Sequence, residues 1–362
     1  QHSHENIKTH RRHTKQMLPT VAQRFLLVSA ITTTTTTPFK LAQGFSFTTL
    51  PKSSLLHSTF TTTTTSSSSS SRSMTSTNSE NPKKLFLFDF DGVVCDSCDE
   101  CTVSALRTCH KLGVLDDYTE TYPPSWLFER MRAVRPAIYV GWQIPVLLSA
   151  IVEQQQHQTT AEKSSSSSGE EGNKKMMMTD EEIVTNYETI VSTQLSKWNK
   201  SDQDMIDTFG EVRDDWIAND LTSWLDINAF YAGVPDALRN CNGESVLVTT
   251  KQHRFATALV RHAGVEESAM PDDDIYGLGM YKGKADVIVD RMSKGGFEAD
   301  NVYFFEDRWP TLAKCLKDER LEGVNLHLCS WGYVTKEERE MAEKEPRVKV
   351  LSLEEFSDIV TS

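Results

Sequence analysis

Asp89 and Asp91 stand two residues apart at the end of the apolar run Leu85-Phe86-Leu87-Phe88, and Gly92 follows them. A continuous apolar run of this length reads as a strand buried on both faces. Ligand sites in open α/β sheets form at the carboxyl ends of such strands. An irregular turn there lets carboxylates at i and i+2 face one pocket, and a glycine permits a tight turn and close substrate approach. A carboxylate nucleophile beside a second carboxylate suits covalent phosphoryl transfer with a divalent metal. Paired acids at a strand end could instead cap a turn, but burying them without a metal or hydrogen-bond donors is costly.

The elements that must position these acids repeat the same pattern. Apolar runs recur at 245–248, 301–305 and 324–328, with a weaker one at 348–351. Helical patterns fall between them at 252–263, 284–294 and 309–318. The first stops at Gly264, the second at Gly295-Gly296, and the third opens with Trp309-Pro310, all ordinary helix boundaries. The alternation predicts an α/β fold, an open parallel sheet covered by helices on both faces. Residues 98–230 break it. Helical patterns at 98–112, 126–134, 146–155, 180–197 and 202–217 dominate there. Five of the seven tryptophans lie in this stretch, so it is expected to hold an apolar core of its own. A low-complexity run at 163–178 reads as a surface loop insertion. The expected organisation is a leader over 1–83, a core formed by 84–97 and 228–362, and a helical cap over 98–227.

The sequence resembles the haloacid dehalogenase (HAD) superfamily. Its first motif, a strand followed by Asp-x-Asp-Gly, matches Asp89-Phe90-Asp91-Gly92. Its second, a strand ending in Thr or Ser, matches Val248-Thr249. Its third, a lysine opening a later helix, matches Lys284, with Lys282 a near neighbour. Its fourth, a strand ending in acids, matches Glu306-Asp307. The resemblance covers 84–97 and 228–362, and implies a Rossmann-like core with an α-helical cap inserted after the first strand. Arg135-Pro136 through Leu148, Thr249 through Phe255, Glu306-Asp307-Arg308 and Trp331-Gly332-Tyr333 are similar to an uncharacterised branch of such hydrolases in photosynthetic organisms, which supplies no substrate.

The resemblance implies a phosphatase acting on a small phosphorylated metabolite. Asp89 would form an aspartyl-phosphate, and Asp91 would protonate the leaving oxygen and then activate water. Mg²⁺ would be held by Asp89, the Asp91 backbone carbonyl, Asp307 and Glu306. Thr249 and Lys284 would bind phosphoryl oxygens, with Thr250 and Lys251 beside them. Halide-removing members lack the second aspartate, so Asp91 favours phosphate chemistry. A phosphomutase keeps the same residues, and a non-catalytic binding protein with the same fold is a further alternative. Lys251 and Arg254 could bind a second anionic group or simply open a solvated helix. Arg135 and Trp142 could line the pocket.

The remaining features bound the reading. Residues 1–83 carry nine Lys and Arg against two acidic residues, which leaves 29 against 49 in 84–362. A body with a net charge of −20 argues against a nucleic-acid surface, which needs clustered cations. The leader is basic and rich in Ser and Thr, the pattern of an organelle presequence. Met17 opens a signal-like apolar stretch, Ala42-Gln43-Gly44 offers a cleavage site, and Met74 is another candidate start. Plastid delivery is the expectation, with a plain disordered tail on a cytoplasmic protein as the alternative. Residues 136–152 are uncharged but interrupted by Gln143 and Pro145, so they read as a buried helix, not a membrane span. Cys95, Cys98 and Cys101 have iron–sulfur-like spacing, but no fourth ligand follows at the usual distance, and helical packing explains them more simply. Nothing in the sequence sets the oligomeric state.

Overall fold

The computed structural model describes residues 82–165 and 178–362. The leader's start, cleavage and targeting signals, and nearly all of the 163–178 insertion, lie outside the described residues.

The described chain opens with β1 (Leu85–Phe88) and the short β2 (Cys95–Asp96). Five helices follow: α1 (Cys98–Lys111), α2 (Ser125–Val134), α3 (Gln143–Ser165), α4 (Asp180–Trp198) and α5 (Asp202–Asp226). Next come β3 (Ala229–Phe230), α6 (Val234–Arg239), β4 (Glu244–Val248), α7 (His253–His262) and β5 (Ile275–Tyr276). The chain ends with α8 (Lys284–Gly295), β6 (Val302–Glu306), α9 (Trp309–Leu316), β7 (Asn325–Cys329), α10 (Lys336–Glu343), β8 (Val348–Leu351) and α11 (Leu353–Thr361).

Six strands form one parallel sheet in the order β5-β4-β1-β6-β7-β8. The first strand is therefore interior, and the chain builds outward on one side of it before crossing to the other. Successive β1 side chains point to opposite faces. Phe86 and Phe88 pack with Trp224, Val234, Phe255 and Phe356, while Leu85 and Leu87 pack with Val246, Val248, Ile288 and Leu312. Both faces are covered, which is why the run is apolar throughout instead of alternating. All five expected strands are present. The sequence reading missed β5 and the antiparallel β2–β3 pair, each strand only two residues long and too short to show a period.

Helices α1 to α5 carry a second apolar cluster, in which Leu106, Leu127, Met131, Leu147, Ile151 and Phe209 meet. The uncharged 136–152 stretch becomes a 3-10 turn at Arg135–Ala137 and then α3, with Pro145 in its first turn. Among the described residues no helix is long and apolar enough to cross a membrane. The tryptophans divide in a way that composition does not reveal. Trp126, Trp142 and Trp198 pack at the edge of the cap cluster, whereas Trp216 and Trp224 belong to the cluster against the sheet. α5 breaks at Asp220 (φ −155°, ψ 73°), and beyond the break Trp224 meets Phe255 of the core with ring centroids 5.9 Å apart and the rings tilted by 52°.

A buried ion pair ties these helices together and to the core. Arg213 of α5 donates twice to Glu100 of α1, both at 2.8 Å, and Ser104 donates to the same carboxylate at 2.7 Å. Lys251, from the loop after β4, lies 3.9 Å away. Burial alone would push the Glu100 carboxyl up, but Arg213 and Lys251 hold it down at about 2, against an ordinary 4.5. Its stabilisation is therefore complete above the unfolded value and is lost as the pH falls toward the folded one. Removing either partner strands a buried charge. Arg213→Met should cost about 3–5 kcal/mol by urea denaturation at neutral pH. Glu100→Gln should flatten the fall in stability between pH 4.5 and about 2.

Candidate active site

Three adjacent strands deliver the site. Asp89 follows β1, Thr249 follows β4, and β6 ends in Glu306 with Asp307 next. Because β1 pairs in parallel with both neighbours, all three ends open at the same edge of the sheet. Carboxylate oxygens of Asp89, Glu306 and Asp307 lie within 4.8 Å of one another, and all three side chains are buried. Lys284, the first residue of α8, reaches in from the side. Its Nζ lies 2.9 Å from Asp89 Oδ1 and donates to Glu306 Oε2 at 2.7 Å. The other Glu306 oxygen accepts from the Arg308 backbone N–H at 3.1 Å. Asp307 Oδ2 accepts from the Tyr333 N–H at 2.6 Å, while its Oδ1 is buried with no partner.

The electrostatics follow from that crowding. Burial pushes the Asp89 carboxyl up to about 7, with Lys284 opposing and Glu306 adding to the shift. Burial and the Asp89 charge take Asp307 to about 6. Glu306 is also raised, by burial against the pull of Lys284. One ammonium does not neutralise three buried carboxylates. The orphaned Asp307 oxygen and the all-oxygen donor set fit a hard divalent cation.

Asp91 stands outside this trio. Its Oδ1 accepts from Ser97 Oγ at 2.5 Å and lies 3.2 Å from Lys251 Nζ. Burial would raise its carboxyl, but Lys251 and Arg135 hold it below the usual carboxylate range. The structure thus separates the two aspartates by environment, one with the acids and one with the cations. The Asp91 carboxylate is not part of the acid cluster, which leaves its backbone carbonyl as the group to offer an ion. Thr249 is buried, and its Oγ accepts from the Lys251 N–H at 3.1 Å while retaining a proton to donate. Lys251 is neither solvated nor free for a distant anion, since it is buried between Asp91 and Glu100. Thr250 donates to the cap, at Tyr139 O, at 3.4 Å. Arg254 lies outside the site, paired with Asp214 at 2.6 Å.

Two glycines make this packing possible. A Cβ on Gly92 (φ +91°) would fall 1.9 Å from Asp307 Oδ2, and one on Gly332 would fall 2.3 Å from the Gly92 carbonyl oxygen. Ser97, Tyr333 and the Glu100–Arg213 pair are site residues that the sequence reading missed as such. The Tyr333 hydroxyl accepts from Ser97 N–H at 3.0 Å and donates to Asp96 at 2.7 Å, joining the first turn to the Trp331-Gly332-Tyr333 segment. Cys95, Cys98 and Cys101 are all buried free thiols. Burial raises all three thiols, so they pack as neutral groups. Above the site, Asp91, Arg135, Tyr139, Trp142, Arg213, Thr250 and Lys251 line a cavity between cap and sheet.

No family model and no curated protein matches the sequence. Among solved structures, the chain is similar to a protein of Clostridium acetobutylicum described as a predicted phosphatase, at 17% identity, TM-score 0.45, over 77% of this chain and 98% of that one. A Haemophilus somnus protein described as a predicted phosphoglycolate phosphatase is similar at 14% identity, TM-score 0.45, over 76% and 96%. A haloacid dehalogenase-like hydrolase of Streptococcus pneumoniae is similar at 12% identity, TM-score 0.38, over 74% and 93%. At these levels the chemistry rests on the side chains themselves.

If the acid cluster is a cation site, Mg²⁺ should raise the melting temperature in a concentration-dependent way. The raised Asp89 and Asp307 carboxyls must lose protons to bind it, so apparent affinity should strengthen as pH rises through about 6 to 7. Gly92→Ala should fold cooperatively yet lose the Mg²⁺ response, because its Cβ displaces Asp307. An equal Mg²⁺ shift in wild type and Gly92→Ala, read by differential scanning fluorimetry, counts against the site.

Proposed function

We propose that the protein is a HAD-type, Mg²⁺-dependent phosphatase that hydrolyses a small phosphorylated metabolite through an aspartyl-phosphate. The observation that carries this reading is the division of labour between Asp89 and Asp91. Asp89 sits among acids at the mouth of β1, and Asp91 two residues on sits among cations. The Asp89 carboxylate would attack phosphorus in line, so that one P–O bond forms as the bond to the leaving oxygen breaks. Asp91 would give the leaving oxygen its proton, then take a proton from the water that attacks the acyl-phosphate and frees Asp89. Lys251 and Arg135 keep Asp91 ionised at rest; the negative charge of a bound phosphate ester would offset them, so that Asp91 would take up from solvent or from the ester's own acidic form the proton it then gives to the leaving oxygen.

Lys284 is held by Glu306 at 2.7 Å and would turn from Asp89 to the phosphoryl oxygens. Thr249, with its proton free to donate, would bind another. Asp89, Asp307, the Asp91 carbonyl and, through its neighbourhood, Glu306 are the groups that would hold Mg²⁺, which when bound neutralises phosphoryl charge. The cap would exclude water from the acyl-phosphate.

Residues 82–362 with Mg²⁺ should release inorganic phosphate from members of a panel of phosphorylated metabolites. Asp89→Asn should abolish release, and Thr249→Ala should lower it roughly 10²–10³-fold. An isomerised substrate without phosphate release would mark a phosphomutase instead, and no turnover across a broad panel would mark a binding protein.

A further inference from the structure

Among the described residues, the buried cations make contact ion pairs, with one exception. Lys284 meets Asp89 and Glu306, Lys251 meets Asp91, Arg213 meets Glu100, and Arg308 meets Glu338. Arg135 is 8% exposed, yet among the described residues it makes no ion pair. Its Nη1 donates to the Ile138 carbonyl at 3.2 Å, its Nε is buried without a hydrogen-bond partner, and its guanidinium lies 3.9 Å over the Tyr333 ring. Asp91 is the carboxylate whose field reaches it, but no carboxylate touches the guanidinium, and its buried Nε is left without an acceptor, a cost a folded protein rarely keeps without a use.

Its position supplies the use. Arg135 opens the 3-10 turn between α2 and α3 of the cap, and it lines the same cavity as Asp91, Lys251 and Thr250. Asp91 is the group assigned to the leaving oxygen, so this cavity faces the leaving-group half of a substrate. The space measures about 30 Å³. A single water needs roughly 10–15 Å³ on such a measure, so the room is small. Tyr139 and Trp142 line it too, and of its charged residues Asp91, Arg135, Arg213 and Lys251 only Arg135 makes no contact ion pair among the described residues.

We propose that Arg135 is the specificity residue of the site. It receives a second oxyanion, a carboxylate or a further phosphoryl group, on the alcohol half of a compact phosphomonoester. This rests on the phosphatase reading for its orientation. The planar fork of a guanidinium matches either oxyanion through paired hydrogen bonds, and so small a cavity favours a compact alcohol half.

The test compares 3-phosphoglycerate with glycerol 3-phosphate, which differ in carboxylate against hydroxymethyl, and adds propane-1,3-diol bisphosphate. Wild type, Arg135→Gln and Arg135→Lys are assayed for kcat/KM with Mg²⁺. Dissociation constants are measured by calorimetry in the Asp89→Asn background. Wild type should favour one dianionic arm over glycerol 3-phosphate by roughly 10- to 100-fold, the scale of hydrogen bonds to a charged group. Arg135→Gln should erase that ratio and Arg135→Lys should restore part of it. The arm preferred identifies the oxyanion as carboxylate or phosphoryl. A merely structural arginine would change all three compounds alike. A wild-type protein without preference overturns the inference even if Arg135→Gln fails to fold. An Arg135-dependent ratio in binding without phosphate release keeps the inference and removes the phosphatase reading. Phosphate release with no such ratio does the reverse.

Discussion

Three carboxylates buried within 4.8 Å of one another are the constraint on which the site depends. Water would separate such charges, and a protein interior strengthens their repulsion. The fold imposes the arrangement through the parallel registry of β4, β1 and β6, which brings the acids to one edge. It then compensates in part with Lys284, with the backbone N–H groups of Arg308 and Tyr333, and with two glycines that admit Asp307 where any Cβ would exclude it. What remains is an excess of negative charge and one carboxylate oxygen with no partner. That residue of unrelieved charge is the physical basis for a cation site.

The cap is bound to the same electrostatics. Lys251 spans Asp91 and Glu100, and Glu100 is held by Arg213 from the far end of the helical module. Arg308, adjacent to Asp307, donates at 2.7 Å to the Ile138 carbonyl, the same oxygen that Arg135 engages from within the cap. The proposed proton-transfer group, the acid cluster and the cap therefore share charged neighbours.

Much of this was legible in the sequence because it rests on short local rules. Continuous apolar runs at 85–88, 245–248 and 301–305 mark strands covered on both faces, and the residues just after each are where an open α/β sheet places its chemistry. Asp89 and Asp91 stand out from the strand end itself, whereas Thr249, Lys284, Glu306 and Asp307 are singled out by the resemblance to the HAD superfamily, whose motifs fall at such strand and helix ends. What was not legible depends on long-range packing. From sequence Lys251 could bind a second anionic group or open a solvated helix, and only the packing of Asp91 and Glu100, both far earlier in the chain, makes it a buried counter-ion. Trp216 and Trp224 are expected in the cap's own core, yet both pack in the cluster against the sheet, Trp224 beyond the break at Asp220. Ser97 and Tyr333 carry no local signal, since a serine near a turn and a tyrosine after a glycine are common. Their role appears when 236 positions of chain are brought together.

The central claim is that Asp89 is the nucleophile. The most direct measurement is chemical trapping. The protein is mixed with Mg²⁺ and a substrate it hydrolyses, quenched in acid and reduced with borohydride, which converts an aspartyl-phosphate to homoserine. Peptide mass spectrometry then reads the modified position. Homoserine at position 89, dependent on substrate and Mg²⁺ and absent from Asp89→Asn, is the predicted result. Phosphate release with homoserine at another aspartate, or with Asp89 never modified under turnover, would contradict it.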